Sequence, residues 1–236
     1  MTYIIAIEGI DGSGKGTQSG LLAERLEAKE FRTARIQFPR YSDTSFGQAI
    51  GDFLNGRFGS LEEVHPQLAA LLYAGDRFES LGVLTEAIES NDVVILDRFS
   101  GSNLAHQAAK LDGDERSRLI EWIDDIEHRV FGLPRPHLNI LLDISTDWSR
   151  RLVGRKGRRD YTTAEADIHE SNGPYLQRVR ECYREIAASR ERWRVVACLG
   201  PDGEIRTVAD VSDELLAYIT PLLSDLPNRN PATPRG

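Results

Sequence analysis

One segment decides the fold class of this chain: Glu8-Gly9-Ile10-Asp11-Gly12-Ser13-Gly14-Lys15-Gly16-Thr17. The apolar run from Tyr3 to Ile7 precedes it and is typical of a strand buried in a parallel sheet. A helical pattern follows from Lys15 to Lys29. A glycine-rich turn between a strand and a helix is the setting of a phosphate-binding loop, in which backbone N–H groups and the helix N-terminus hold phosphates and Lys15 reaches the β and γ phosphates. We therefore predict an ATP phosphate site formed by Gly9, Ile10, Asp11, Gly12, Ser13, Gly14, Lys15, Gly16 and Thr17.

The position after the lysine departs from the usual phosphate-loop pattern. That position normally carries Ser or Thr, whose hydroxyl binds Mg²⁺, and here it is Gly16, with Thr17 next. Thr17 is our candidate metal ligand, and the sequence leaves open whether it binds directly, through a water or not at all.

Strands and helices alternate along the rest of the chain. Further strands are expected at 31–38, 92–99, 138–144 and 194–199. Helices are expected at 46–54, as one helix from Pro66 to Ile88, as a long stretch before the fourth strand, from about Glu170, and at 208–219. The pattern predicts an α/β fold in which a five-stranded, mostly parallel sheet lies between two helical layers, the three-layer P-loop NTPase sandwich.

Two segments are expected to lie outside this sandwich. The stretch 149–166 is basic and has little apolar periodicity, so we interpret it as a mobile surface lid. Residues 224–236 contain three prolines among polar residues and are expected to form a disordered tail. The domain prediction is thus one P-loop domain over 1–223.

Composition narrows the class of protein. The 236 residues carry a net charge of −8, which argues against a nucleic-acid partner. No run of eighteen apolar residues and no signal-peptide pattern occurs, so we expect a cytoplasmic protein without a membrane partner. Cys182 and Cys198 are expected to be reduced thiols.

Several further motifs occur in a specific order, and with the first segment they resemble thymidylate kinases from Tyr3 to about Leu199. The motifs are Phe38-Pro39-Arg40-Tyr41, Asp76-Arg77, Asp97-Arg98-Phe99, Ser102-Asn103 and Asp167-Ile168-His169-Glu170. The resemblance implies a five-stranded sheet, a monophosphate pocket, a lid, a homodimer, and Mg²⁺-dependent transfer of the terminal phosphoryl group of ATP to dTMP. It also implies a cis peptide bond before Pro39.

The resemblance assigns roles in the acceptor pocket. Tyr73 would stack on thymine and Arg77, four residues later, would bind a base carbonyl; the alternative is a core tyrosine and a surface ion pair. Asn103 would read the thymine edge, or else cap its helix. The full set of dTMP-binding candidates is Asp11, Phe38, Arg40, Tyr73, Arg77, Arg98, Ser102, Asn103, His106 and His169.

Asp97 and Arg98 end a core strand, where ligands of open α/β sheets collect. Asp97 would bind Mg²⁺ together with Thr17, and Arg98 would hold the dTMP phosphate; the alternative is a buried structural ion pair. Similar kinases often have Tyr in place of Phe99 and an aromatic residue in place of His106. With His106 in the deoxyribose pocket, exclusion of a ribose would work differently, although a histidine here is more often a partly exposed structural residue.

The phosphate loop has no arginine at Gly12 or Ser13, so the resemblance points to catalytic arginines in the lid. The alternative is that the basic run is simply a solvated loop. Phosphoryl transfer depends mainly on charge neutralisation and alignment. The catalytic candidates are Lys15, Asp11, Arg98, Arg155, Arg158 and Arg159.

Two alternative functions remain open. A P-loop nucleotide switch of the GTPase kind would carry Asn-Lys-x-Asp, and none of the four lysines follows an Asn. A kinase for another nucleotide or nucleoside is the second alternative, because Gly14-Lys15-Gly16-Thr17-Gln18 also resembles adenylate kinases. Asp76-Arg77 and Ser102-Asn103 favour thymine over adenine.

Overall fold

The computed structural model describes residues 1–154, 173–224 and 226. Five parallel strands form one sheet in the order β2-β3-β1-β4-β5, which confirms the predicted fold class. The strands are β1 (Tyr3–Glu8), β2 (Thr33–Gln37), β3 (Val93–Asp97), β4 (Leu138–Asp143) and β5 (Trp193–Ala197). The helices are α1 (Lys15–Glu27), α2 (Ser45–Leu54), α3 (Pro66–Glu79), α4 (Leu81–Ser90), α5 (Ser100–Ala108), α6 (Gly113–Asp125), α7 (Thr146–Val153), α8 (Gly173–Ser189) and α9 (Val208–Leu223), with a π-helical segment at Ile126–Val130.

The central strand β1 is buried on both faces. Ile5 and Ile7 pack into a core with helix α1, whereas Ile4 and Ala6 pack into a second core with Leu84 of α4. This alternation follows from the two-residue period of a strand. The sequence of β1 has no polar alternation because helices cover the strand on both faces, as predicted.

Two helical predictions need correction. The expected single helix from Pro66 to Ile88 is interrupted at Ser80, whose hydroxyl donates to the Asp76 carbonyl at 2.8 Å and so closes α3 locally. The expected long helix before β4 is instead α5, α6 and the π-helical segment. Gly113 lies at a φ of +52° at the start of α6 and lets the chain change direction there.

The start of the predicted lid also differs. Residues 149–153, which we interpreted as part of a surface excursion, belong to helix α7, which Ser145 caps by accepting a hydrogen bond from Trp148 N. Trp148 and Leu152 pack against the core, so α7 has an apolar side, although most of its other residues are polar or charged. The remainder of the predicted lid, from Arg155 onward, lies outside the described residues.

The structure describes both cysteines, and no disulfide joins them. Cys182 and Cys198 are buried free thiols, and burial raises the pKa of Cys182 to about 11 and that of Cys198 to about 12. Among the described residues, every helix is too short or too polar to span a bilayer. Leu226, in the predicted tail, still packs against the core.

Candidate active site

The phosphate loop lies between β1 and α1 as predicted. Gly12 and Gly14 have φ values of +74° and +89°, a conformation that other residues adopt only with strain. A Cβ atom on Gly12 would lie 2.6 Å from the Ser149 carbonyl oxygen of α7, so the loop and α7 approach closely at this point. The Ser149 hydroxyl also donates to the Asp11 carbonyl at 2.7 Å. Helix α7 therefore fixes one side of the loop.

Lys15 is the buried cation of this loop. Its ammonium group donates to the Ile10 carbonyl at 2.8 Å. Burial and, to a smaller extent, the positive charge of Arg98 lower the pKa of Lys15 to about 7, against the opposing effect of Asp11 and Asp97. The site thus holds a lysine that is only partly charged at neutral pH until an anion arrives.

A cavity of about 810 Å³ opens beside the loop. It extends over the carboxyl ends of β2 and β3, where ligands of open α/β sheets bind. The structure brings most of the predicted site residues together in its lining, namely Asp11, Gly12, Gly14, Lys15, Gly16, Phe38, Arg40, Tyr73, Arg77, Asp97, Arg98, Ser102, Asn103 and His106. Thr17 is exposed and lies outside this lining. Arg155, Arg158, Arg159 and His169 fall outside the described residues.

Arg98 is held in the middle of the cavity wall. Its guanidinium group donates to Asp11 Oδ1 at 2.6 Å, to the Gly9 carbonyl at 3.1 Å and to Ser102 Oγ at 3.2 Å. Its φ of +66° is a strained conformation for a residue with a side chain and is found most often at functional sites. Asp97 and Arg98 each form a separate ion pair, with Arg35 and Asp11 respectively, so the alternative of a structural ion pair stays open for both.

A buried network behind Arg98 includes residues that the sequence did not reveal. Glu8 Oε1 accepts a hydrogen bond from Phe99 N, and Glu8 Oε2 accepts one from Ser102 Oγ at 2.6 Å. Tyr183 of α8 donates to Ser102 Oγ at 2.8 Å. Burial raises the pKa of Glu8 and of Tyr183. Tyr183 occupies a core position of an amphipathic helix, where nothing in the sequence distinguishes it from an ordinary packing residue.

Asp97 is buried at the loop end of the cavity. Its Oδ2 atom accepts hydrogen bonds from Ser19 Oγ at 3.4 Å and from Arg35 at 3.2 Å. Mg²⁺ is commonly bound by one or two carboxylates, substrate phosphates and waters, so this single carboxylate fits a metal that a nucleotide also holds. Among the described residues, no group of three or more His, Cys, Asp or Glu side chains could hold a metal without phosphates.

At the other end of the cavity, Arg77 and Asn103 share one buried carboxylate. Arg77 forms a two-pronged ion pair with Glu127 of the π-helical segment, at 3.0 Å and 2.5 Å. Asn103 Nδ2 donates to Glu127 at 2.8 Å and to the Ala70 carbonyl at 3.0 Å, so it does not act as a simple helix cap. The partner of Arg77 is thus a buried residue, not the surface carboxylate considered from the sequence.

Helix α5 presents further polar groups at this end. Asn103 Oδ1 and both polar side-chain atoms of Gln107 are buried and have no hydrogen-bond partner among the described residues. Gln107 also lines the cavity, although no motif in the sequence singles it out. Buried polar groups are normally satisfied, so these atoms indicate a ligand with complementary donors and acceptors.

His106 and Tyr73 also have defined positions. His106 is buried, not partly exposed, and its backbone carbonyl accepts a hydrogen bond from Tyr175 at 2.9 Å. Its ring lies 6.1 Å from the ring of Tyr175 and 6.2 Å from that of Tyr183. Tyr73 is half-buried, packs partly on the core and lines the cavity.

The turn after β2 is fixed by Asp76. Asp76 Oδ2 accepts a hydrogen bond from Arg40 N at 3.0 Å, and Asp76 Oδ1 accepts one from Thr44 Oγ1. The Arg40 side chain donates to Ser80 Oγ at 3.2 Å. The Phe38–Pro39 peptide bond is cis, as expected. Asp76 therefore shapes the segment that brings Phe38 and Arg40 to the cavity.

Comparisons with known proteins identify similar sequences and a similar fold. The sequence model of the family described as "Thymidylate kinase" matches residues 7–206. The chain is 33% identical to the thymidylate kinase of Mycobacterium tuberculosis over 195 residues, which cover 82% of this chain and 90% of that protein. It is also 33% identical to a probable thymidylate kinase of Pyrococcus abyssi over 218 residues, covering 91% and 98% of the two chains. A solved thymidylate kinase structure from Candida albicans has a similar fold, with a TM-score of 0.71 over 94% of this chain and 92% of that chain at 24% identity.

Proposed function

The chain belongs to the thymidylate kinase family, and from this premise we propose that it transfers the terminal phosphoryl group of ATP to dTMP, giving ADP and dTDP. One observation carries the proposal: a single cavity is lined both by the phosphate loop and by the polar residues Arg77, Asn103 and Gln107, and Arg98 hydrogen-bonds to the loop and to Ser102 of α5. Donor phosphates at one end and a base at the other would place the acceptor phosphate beside Arg98.

The donor end would bind ATP through loop N–H groups and Lys15. A bound triphosphate would place negative charge beside the buried Lys15 ammonium group. Nucleotide binding would therefore raise the pKa of Lys15 and restore its full positive charge. Mg²⁺ would be held by Asp97 together with the phosphates, and would supply charge neutralisation for phosphoryl transfer. Thr17 remains a weaker candidate ligand, because its exposed side chain lies outside the cavity lining.

The acceptor phosphate needs positioning more than activation. A phosphate monoester has a second pKa of about 6 and is largely dianionic at pH 7, so it attacks without a strong general base. Arg98 would bind this dianion, and Asp11 holds the guanidinium in place at 2.6 Å. Arg40 lines the same region and would add positive charge.

The base pocket matches the edge of thymine. Thymine offers an N3–H donor flanked by two carbonyl acceptors. Arg77 would donate to one carbonyl. For the rest of that edge, Asn103 Oδ1 offers an acceptor and the Gln107 amide offers a donor and an acceptor. Tyr73 and Phe38 line the cavity and would stack on the base, and His106 would border the deoxyribose.

The remaining assignments are proposals from the family resemblance. Arg155, Arg158 and Arg159 would neutralise the transferring group, with His169 near the acceptor, in a lid over residues 155–166 of a single domain spanning 1–223. An arginine that reaches the transferring phosphoryl group is worth about 10³ to 10⁵ in rate.

We also propose a cytoplasmic homodimer. Exposed Phe46 of α2 and Leu68 of α3 are consistent with a covered face, and light scattering on the purified chain tests it.

The test of the proposed function is an ADP-release assay with dTMP, dUMP, UMP, CMP, AMP and thymidine as acceptors. We expect the highest kcat/KM with dTMP, because the pocket requires both a pyrimidine edge and a phosphate at Arg98. A preference for AMP or thymidine would reject the assignment while retaining a P-loop kinase. ATP hydrolysis that is equally fast without any acceptor would reject the kinase itself.

A further inference from the structure

Helix α1 carries two glycines on the side that faces Asp97. A Cβ atom on Gly16 would lie 3.4 Å from Asp97 Oδ2 and 3.7 Å from one terminal nitrogen of Arg35. A Cβ atom on Gly20 would lie 3.7 Å from the other terminal nitrogen. The guanidinium of Arg35 therefore lies against the surface of α1, close enough that a Cβ atom at 16 or 20 would make ordinary van der Waals contact with it.

Arg35 reaches this place from the edge strand β2. In the register of the sheet Arg35 lies beside Ile95 and Gln37 lies beside Asp97, so the arginine extends toward the carboxyl end of the sheet to meet the carboxylate. The two side chains form an ion pair at 3.2 Å, with 36% of the Arg35 side chain and 6% of the Asp97 side chain exposed. Both residues line the cavity.

The same position is the one that lacks the usual hydroxyl. Phosphate loops of the common pattern place a Ser or Thr directly after the lysine to bind Mg²⁺. Here a glycine occupies position 16 next to Asp97, the carboxylate proposed to hold the metal, and the Arg35 guanidinium contacts that carboxylate. The loss of the hydroxyl and the presence of the arginine thus concern one site.

We infer that Arg35 is a built-in counter-ion of Asp97, which weakens the binding of free divalent cations so that the metal enters this site as a complex with the nucleotide. The inference rests on the proposed function, because it concerns the metal of the donor nucleotide. Arg35 acts through Asp97 and is a positioning residue. When the metal arrives bound to a nucleotide, the phosphates are also anions that the Arg35 guanidinium could contact. Arg35 could therefore stay beside Asp97 after the metal binds.

The experiment is a Mn²⁺ titration of the nucleotide-free protein, followed by the loss of the free Mn²⁺ signal in electron paramagnetic resonance. We expect weak binding to the unaltered protein and about tenfold tighter binding to Arg35→Met, because removing a nearby positive charge removes its repulsion of the cation. Arg35→Lys retains the charge and should remain within about threefold of the unaltered protein. The matched control is Arg32→Met, which removes the surface ion pair with Asp92 at 2.8 Å and should leave the Mn²⁺ affinity unchanged.

A double-mutant cycle with Gly16→Ser tests the link between the two residues. The added hydroxyl should strengthen Mn²⁺ binding more in the Arg35→Met background than alone, because only there is the carboxylate available to share the metal. Mn²⁺ affinity of Arg35→Met within twofold of the unaltered protein, or equal gains from Gly16→Ser in both backgrounds, would overturn the inference. Circular dichroism of each variant identifies any that fails to fold, and if Arg35→Met fails, Arg35→Gln, which also removes the charge, takes its place in the comparison with Gly16→Ser.

These measurements use neither dTMP nor phosphoryl transfer. A protein that shows the Mn²⁺ pattern but does not phosphorylate dTMP would contradict the proposed function and retain the role of Arg35. A protein that phosphorylates dTMP but lacks the Mn²⁺ pattern would do the reverse.

Discussion

At the scale of single residues, Glu127 connects two of the residues that we propose bind the acceptor base. It binds both Arg77 and Asn103 in a region with almost no solvent exposure. Removing one partner of a buried ion pair leaves an uncompensated charge, which typically costs about 3–5 kcal/mol of stability. The role of Arg77 in binding is therefore best tested without leaving that charge behind.

We predict that the double variant Arg77→Met with Glu127→Gln raises the KM for dTMP by about 30-fold or more, because a charge-assisted hydrogen bond to the base is lost. The KM for ATP should stay within about twofold. Glu127→Gln alone keeps Arg77 and should give a smaller rise in the KM for dTMP, although its unpaired Arg77 charge should make it less stable than the double variant in urea unfolding. Equal increases in both KM values would show that Arg77 does not belong to the acceptor pocket.

By contrast, Arg155→Ala or Arg158→Ala should mainly lower kcat.

Lys15 gives a prediction about protons. Its pKa of about 7 in the free protein should rise when a triphosphate binds, so binding must take up a proton wherever the free lysine is neutral. We expect uptake of close to one proton per ATP at pH 8 and far less at pH 6, measured by calorimetry in buffers of different ionisation enthalpy. Lys15→Arg, which keeps its charge at both pH values, should bind ATP without this uptake. Similar uptake by that variant would assign the proton to another group.

At the scale of elements, the contact between the phosphate loop and α7 can be tested with two glycines. Gly12 and Gly14 both have positive φ values, but only a Cβ on Gly12 meets another atom, the Ser149 carbonyl. Gly14→Ala should cost about 1–2 kcal/mol of unfolding free energy from backbone strain alone. Gly12→Ala should cost at least about 1 kcal/mol more, because α7 must also move. Urea unfolding without nucleotide measures both, and equal losses would show that the close approach has no energetic weight.

The same scale shows what the sequence could predict. The loop, the buried strands and the ends of β2 and β3 were predictable because each depends on neighbours in the chain, such as glycines next to a lysine or an apolar run before Asp97 and Arg98. The interruption at Ser80 and the start of α7 were missed, because each depends on one side-chain hydrogen bond that leaves the apolar spacing nearly unchanged. Tyr183, Glu127 and Arg35 were missed for another reason. Their partners are distant in sequence, and only the assembled sheet brings them together.

At the scale of the whole molecule, ligand binding should stabilise the entire domain, because the cavity is lined by the loop, β2, β3, α3 and α5 together. A ligand at 100 times its Kd adds about 2.7 kcal/mol of stability. For a chain of this length we expect dTMP at that concentration to raise the Tm by about 5–10 °C. Thymidine at the same concentration should raise it much less, since it has no phosphate for Arg98. Arg98→Met should remove most of the difference between the two ligands, and an unchanged difference would place the phosphate elsewhere.

The shared carboxylate of Glu127 has a practical meaning for anyone who wishes to redirect this enzyme toward another nucleobase. Substituting only Arg77 and Asn103 would leave the buried carboxylate of Glu127 without the guanidinium and the amide that it now binds. A library that varies position 127 together with 77 and 103 is therefore the sensible starting point, whereas one confined to the visible lining would mostly return misfolded chains.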